Sequence, residues 1–415
     1  MNDYFDALEV RDPGEREARL MAALPGQVAH AQRSAAAFAQ ILAGVDARSI
    51  DSRAALARLP VTRKPELLGR QQATRPGDPF GGFSAIVRGP HMPHIFASPG
   101  PIYEPDGTAP DYLRAARAMF AAGFRRGDLV HNSFSYHMTP GAFIMESGAH
   151  AVGCTVFPAG VGQTEQQLQA IAELRPDAYM GTPSFLRILV EKAAETNVDI
   201  SSMCKGLTGG EALPPSLRNW FAEHGLAVYQ SYATADLGLI AYETQAREGL
   251  VLDESLIVEI VQPGTGDPVA EGEVGELVVT TLNPAYPLIR FGTGDLSALL
   301  PGRCPTGRTN TRIKGWLGRA DQTTKIRGMF VHPGQVADIA RRFPEVLKAR
   351  LVVSGEMAND VMTLKVEAAS VPKGLDERIG DAIRDVTKLR GDVQLLRPGS
   401  LPNDGKVIED ARSYK

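Results

Sequence analysis

The chain has 415 residues, 43% of them hydrophobic and 22% charged, with a formal net charge of -4. At roughly 100–200 residues per domain this length holds two or three domains, and the charge balance offers no basic field for nucleic acid. Cys154, Cys204 and Cys304 lie far apart with no CxxC pair, which argues against a zinc knuckle or a disulfide framework.

The opening MNDYFDALEVRDPGERE is charged and carries no apolar h-region, and no apolar run approaches the roughly 20 residues that span a bilayer. A soluble, reducing, cytoplasmic protein without membrane contact is expected. Residues 13–44 read as helix, rich in Ala, Leu, Arg, Glu and Gln at helical spacing. LARLPVTRKPELL (55–67) leads into the main body. In HIFASPGPIYEPDGT (94–108) a strand runs into a Ser/Gly turn of the kind that cradles phosphate, yet Pro99 and Pro101 have no N–H to offer and no lysine follows.

The middle of the chain alternates. GDLVHNSF (127–134) becomes a strand, TPGAFIMESGAHAVG (139–153) a helix whose small residues imply close packing, and CTVFPAG (154–160) a strand. Thr164 is expected to cap the next helix, with Gln167 closing a capping box and Pro176 ending it. DAYMG (177–181) reads as a strand, after which Thr182 caps a helix that has Pro183 at its first position. KGLTGG (205–210), PPSLRNWFAEHG (214–225) and AVYQSY (227–232) continue as strand, helix and strand. This rhythm predicts βαβ units and a parallel sheet.

From about residue 250 the pattern changes. LIVEIV and GELVVTTL, joined through PGTGDP, read as a β-hairpin. GWLGRADQTTK is the candidate boundary before a smaller mixed body, which holds a TTKIRGMFV strand pair, a helix near 333–342, two longer strands and the helix LDERIGDAIRDVTK. The expected fold is α/β: a large multi-layer N-terminal domain (1–320) with parallel sheets and a β-rich subdomain, then a small mobile α+β domain (321–415).

Four glycine- or acid-rich loops follow predicted strands: SPGPIY (98–103), TGGEALP (208–214), SYATADLG (231–238) and FGTGDL (291–296). In open α/β sheets ligands bind outside the carboxyl ends of strands, and loops of this kind present backbone N–H groups to phosphate.

The order TGGE, SYATADLG, YPLIRFGTGDL, GRADQTTKIRGMFVHPGQV and NDGKV resembles the adenylate-forming superfamily of acyl-CoA synthetases, in its phenylacetate–CoA ligase branch. FSYHMTPGAF and GQTEQQLQAIAELRPDAYMGTPSFL are similar to that branch as well, and the resemblance runs from about residue 17 to 415. It implies an AMP-forming ligase that joins a small-molecule carboxylic acid to coenzyme A through an acyl-adenylate, with ATP/AMP, Mg²⁺ and coenzyme A as cofactors. A homodimer is a family expectation only.

The resemblance also implies roles. Asp295 would accept the ribose hydroxyls and Arg319 would add a cation at ribose or phosphate. Tyr232 would stack on adenine, beside Gly209, Gly210, Glu211, Ala233 and Thr234; the other reading of Tyr232 is a core aromatic at a strand end. Asp236 would bind Mg²⁺, since hard cations take carboxylate oxygens; the other reading is a helix N-cap. Lys406 would pair with the carboxylate and α-phosphate during adenylation, about a hinge at Asp321. Lys325 and Gly328 would meet coenzyme A, and Tyr136, His137, Met138 and Phe143 would line the acyl pocket.

The chain departs from the family at three places. Ser98 and Gly100 sit in a degenerate phosphate loop, Ala235 replaces a hydroxyl residue before Asp236, and Gly292 stands where an Arg or Lys is common. These losses gather at the triphosphate. Three readings follow: a working ligase, a member that handles an acyl-adenylate or CoA thioester without ATP, or a non-catalytic binding protein.

Overall fold

In the computed structural model, residues 3–412 are described apart from 264, 321–323, 328, 332, 356–359 and 403–405. The chain divides into two compact units, one ending at Leu317 and the other beginning at Gly318.

The N-terminal helix Pro13–Ser34 begins where the sequence places it. Asp12 caps it, accepting from Gly14 N at 2.8 Å and Glu15 N at 3.0 Å, with Pro13 at the first position. Leu20, Leu24, Val28 and Ala31 recur at helical spacing and are buried against Ile257, Leu277, Val279 and Phe291 of the β-rich part. The helical stretch breaks at Ala35, whose extended backbone separates Pro13–Ser34 from Ala36–Ile41.

Among the described residues, nine strands form the main sheet, in the order Leu299–Leu300, Arg312–Ile313, Leu250–Leu252, Gly238–Glu243, Ala227–Thr234, Lys205–Thr208, Ala178–Gly181, Leu129–Asn132 and Thr155–Phe157. The last five run parallel. The helices Gly141–Val152, Thr164–Leu174, Pro183–Thr196 and Pro215–Glu223 each connect two of them in turn, which is the predicted βαβ series. Helix Gly141–Val152 packs so closely that a Cβ on Gly148 would lie 2.6 Å from Ala115 Cβ and 2.8 Å from its carbonyl carbon. That contact explains the small residues of this helix.

Thr182 caps the helix Pro183–Thr196 as predicted, through Phe185 N at 3.3 Å. The Thr164 cap does not form. Thr164 is the first helical residue and Gln163 precedes it in the left-handed conformation. Gln167 is buried and anchors the helix instead: it accepts from Ser133 Oγ at 2.9 Å, pairs with His131 Nε2 at 2.8 Å, and donates to the carbonyls of Gly160 at 2.9 Å and Gly162 at 2.7 Å. A buried amide must fill its hydrogen bonds, and here the strand end fills them better than the helix terminus.

The β-rich part pairs Leu256–Val261 with Gly275–Thr281, the hairpin read from the sequence, and Gly275–Thr281 with Phe291–Ser297, both antiparallel. Thr62–Arg63 adds in parallel beside Phe291 and Gly292. A separate hairpin pairs Ile95–Ser98 with Ile102–Pro105.

The second unit carries the sheet order Asp392–Leu396, Val361–Ala368, Val346–Ser354, Ile408–Asp410. Helices Pro333–Arg341 and Leu375–Thr387 belong to the same unit, and Val336, Ile339, Leu375 and Ile379 join Leu351, Val353, Leu364 and Val366 in its core. It is α+β, as expected. No helix of the described residues is long and apolar enough to cross a membrane.

Candidate active site

The functional loops of the first unit lie where strands end. Gly209 follows strand Lys205–Thr208, and its N donates to Gly181 O at 3.3 Å. A Cβ there would approach Ser231 Oγ to 3.0 Å and Ser231 O to 3.4 Å, so glycine lets this loop lie close against the neighbouring strand. Gly210 adopts φ +76, and Glu211 Oε2 accepts from Ser184 N at 3.3 Å at the start of helix Pro183–Thr196. Ala233 and Thr234 end strand Ala227–Thr234, and Thr234 Oγ1 accepts from Leu237 N at 3.2 Å in the turn that follows.

Tyr232 and Asp295 are brought together. The Tyr232 hydroxyl donates to Asp295 Oδ2 at 2.7 Å, and the Trp316 indole Nε1 donates to Asp295 Oδ1 at 3.1 Å. Asp295 N donates to Thr293 Oγ1 at 3.1 Å, and the residue is only 9% exposed. The Tyr232 ring also packs on the edge of the β-rich core. Sequence reasoning passed over Trp316, although it lies in the quoted GWLGRADQTTK.

Asp236 occupies the turn between strands Ala227–Thr234 and Gly238–Glu243 and caps no helix. It is 5% exposed and forms an ion pair with Lys64 Nζ at 2.8 Å. A second buried carboxyl, Glu104, feels its charge. Glu104 is 2% exposed, and burial, followed by the charge of Asp236, pushes its pKa up to about 8, while Ser98 and Lys64 pull it down. The Ser98 hydroxyl donates to Glu104 Oε1 in a short contact. Asp236 Oδ1 and Glu104 Oε2 have no hydrogen-bond partner among the described residues. The Asp236 carboxylate is an oxygen donor of the kind a hard cation such as Mg²⁺ takes, with the Lys64 ammonium on its Oδ2.

Ser98 and Glu104 belong to the hairpin that stands where a phosphate loop was sought. Phe96 faces Glu104 and Ser98 faces Ile102 in register, and all four side chains are buried. Strand alternation puts them on one face, and Gly100 lies in the turn. The hairpin therefore turns a packed face inward.

The same face reaches an aromatic cluster. Phe143 meets Phe96 at 5.1 Å, His94 at 4.7 Å and Tyr136 at 5.3 Å between ring centroids, spacings at which rings attract beyond simple burial. Asn132 Nδ2 donates to the Tyr136 hydroxyl at 2.9 Å, which donates in turn to Glu146. His94 Nδ1 lies 2.8 Å from Asp106 Oδ2. His137 and Met138 follow Tyr136 directly, and Met138 O accepts from Ala97 N at 2.8 Å beside Phe96. His137 and Met138 are both exposed, Met138 by 77%, whereas Tyr136 and Phe143 are partly buried.

The missing cation at Gly292 has a counterpart. Arg63 pairs in register with Gly292, and its guanidinium meets Glu276 at 2.8 Å. A Cβ on Gly292 would fall 2.6 Å from Glu276 Oε1 and 3.1 Å from Arg63 Cγ. The leading segment, through Arg63 and Lys64, thus brings cations to two positions where the family motif is altered.

In the second unit Arg319 is half-buried in strand Gly318–Arg319, and Lys406 is exposed just before strand Ile408–Asp410. Lys325 lies in strand Thr324–Ile326, its side chain outside the described residues. Asp321 and Gly328 lie outside them altogether.

A parallel sheet with loops at its carboxyl ends, a β-rich subdomain supplying Asp295 and a small α+β unit define an adenylate-forming enzyme fold. Residues 111–285 match the AMP-binding enzyme family. The chain is 33% identical over 398 residues to a phenylacetate–coenzyme A ligase of Thermus thermophilus, covering 87% of each chain. It is 28% identical to a ligase of the same name from Escherichia coli, covering 98% of this chain and 97% of the other. The structure of a 2-hydroxyisobutyryl-CoA ligase in complex with 2-HIB-AMP and CoA superposes with a TM-score of 0.82 at 24% identity, covering 100% of this chain and 93% of that one. The chain belongs to the phenylacetate–CoA ligase branch of the adenylate-forming superfamily.

Proposed function

We propose that the protein is an AMP-forming carboxylate–CoA ligase. The observation that carries this reading is the buried Asp295 held by Tyr232 and Trp316. A buried carboxylate towards the end of the β-rich strand Phe291–Ser297 is the group type that accepts a ribose diol. ATP supplies the adenylyl group, and the carboxylate of the acid attacks the α-phosphate to give an acyl-adenylate and pyrophosphate. Lys406 is assigned to the charge that develops there, as an ammonium on a flexible stem. The CoA thiol then attacks the acyl carbon and AMP leaves. Mg²⁺ at Asp236 would neutralise phosphate charge when bound.

The cluster of Phe96, Tyr136 and Phe143 supports an aromatic acid as the substrate class. A cytoplasmic location and a homodimer are assigned from the family alone.

The experiment is a pyrophosphate-release screen over a panel of aryl and alkyl carboxylic acids, with and without coenzyme A. Acid-dependent release followed by thioester formation is the expected result. Calorimetric binding of a CoA thioester with no acid-dependent release would move the protein to ATP-independent acyl handling.

A further inference from the structure

Lys406 is exposed just before strand Ile408–Asp410. An ammonium on a flexible stem reaches a defined point only if the backbone that carries it is held. The second unit holds it on both flanks. On the N-terminal side, Pro402 O accepts from Lys348 Nζ at 2.8 Å and from Arg350 Nη2 at 3.1 Å. On the C-terminal side, Glu409 Oε2 accepts from Arg350 Nη1 at 3.3 Å. One guanidinium therefore bridges the two flanks of Lys406.

Strand geometry builds this clamp. Lys348 and Arg350 alternate along strand Val346–Ser354 and so share a face, while Leu351 and Val353 belong to the core. Lys348 pairs in register with Glu367 of strand Val361–Ala368. Glu367 is buried and accepts from Gly399 N at 3.0 Å and from Leu401 N at 2.5 Å. Past the lysine, Leu351 N donates to Val407 O at 2.9 Å, and Leu351 lies in parallel register with Ile408. Both flanks of Lys406 are thus tied to the same sheet.

Arg350 is 3% exposed. A charge at that depth is costly to desolvate, and apolar side chains of similar volume often stabilise as well or better. What a guanidinium adds is a rigid fork of directed donors, here aimed at the segment that carries Lys406. A displacement of about 1 Å at a reacting group can slow a reaction by on the order of 100-fold, so the placement of this backbone bears on the rate.

We propose that Arg350 is a positioning residue for Lys406, supported by Lys348 and Glu367: it fixes the backbone on both flanks of the lysine, and so acts on adenylation and not on thioester formation. The inference rests on the ligase reading and on the role assigned there to Lys406. Amide exchange of the clamped segments needs no turnover, so the clamp and the ligase activity fail separately.

The test compares R350M, R350K and K348M with the unaltered full chain, using phenylacetic acid as the aryl acid and its synthetic adenylate as the preformed intermediate. Melting curves establish that each variant is folded. R350M should lower kcat for pyrophosphate release by about tenfold or more at unchanged KM for ATP, and K348M by about threefold. Thioester formation from the synthetic adenylate and CoA should stay close to that of the unaltered chain. R350K keeps a cationic donor and should recover part of the rate. In a K406A background R350M should slow release no further, because the residue it positions is gone. Amide hydrogen exchange in R350M should rise in the peptides that carry Leu401 and Val407, with the core strands still protected. The proposal is overturned if folded R350M matches the unaltered chain in pyrophosphate release or in exchange, if the two half-reactions fall together, or if the effects of R350M and K406A multiply. Should R350M not fold, K348M carries the same comparisons. If phenylacetic acid gives no release from the unaltered chain, exchange alone decides the clamp.

Discussion

Arg63 and Gly292 face each other across parallel strands, and the Arg63–Glu276 ion pair occupies the space that a side chain at 292 would need. A position that looks like a lost cation in the linear motif is thus refilled from a segment far away in the chain. The buried Glu276 carboxylate keeps that guanidinium in place. In G292A the new Cβ would push on the end of the Glu276 side chain and on Arg63 Cγ, so the pair must shift, at a cost of about 1–3 kcal/mol typical of overpacking. A clear drop in melting temperature is expected, and a wild-type melting curve would refute the packing account.

Asp295 is the anchor of the nucleotide reading. Hydrogen bonds to charged groups contribute about 1.5–3 kcal/mol each, so D295A should lower AMP affinity at least tenfold by calorimetry. Y232F removes one neutral donor from Asp295 and should cost less, about threefold to tenfold. Equal AMP affinity in D295A and the unaltered protein would remove Asp295 from the site.

Lys406 is assigned to the first half-reaction only. K406A should slow acid-dependent pyrophosphate release by about 100-fold or more, the usual effect of deleting one preorganised positive donor. Nucleotide affinity should stay close to that of the unaltered protein. Undiminished pyrophosphate release in K406A would refute the role.

Gly148 tests the packing of the parallel sheet's first crossover helix. The alanine methyl in G148A would meet Ala115 Cβ at 2.6 Å and its backbone at 2.8 Å. Overpacking of this kind costs about 1–3 kcal/mol, and each kcal/mol lowers a melting temperature by about 2–4 °C in a domain of moderate size. A thermal melt that is unchanged or raised would show that the two helices separate freely.

The cysteines should differ in reactivity. Burial first, and then the charge of Asp128, push the Cys154 thiol up to about 11, against a partial pull from Lys205. Near pH 8 only about a thousandth of such a thiol is the reactive thiolate, and the fraction grows tenfold with each pH unit below that pKa. Cys304 is buried and Cys204 is exposed. A thiol reagent near pH 8 should therefore label Cys204 rapidly in the native protein and all three cysteines in denaturant. Rapid native labelling of Cys154 would contradict its burial.

Much of this protein can be read along the chain. The alternation of strand and helix from Leu129 to Thr234, the hairpin of Leu256–Val261 with Gly275–Thr281, and the Pro183 helix start depend on neighbours within a few residues, where periodicity, caps and turns act. The Gln167 box failed because burial decided between two sets of partners that the local sequence leaves equal. Nor does adjacency in a motif tell exposure: His137 and Met138 are exposed where Tyr136 is partly buried.

The sequence by itself determined the family and the order of its motifs, including Tyr232 and Asp295, because those residues lie in short stretches whose spacing is set by strand ends. Only the folded chain brings Lys64 to Asp236 and Trp316 to Asp295. These contacts join distant segments through strand register and burial, and charge pairing in a low-dielectric interior depends on separation in space, which residue order does not encode.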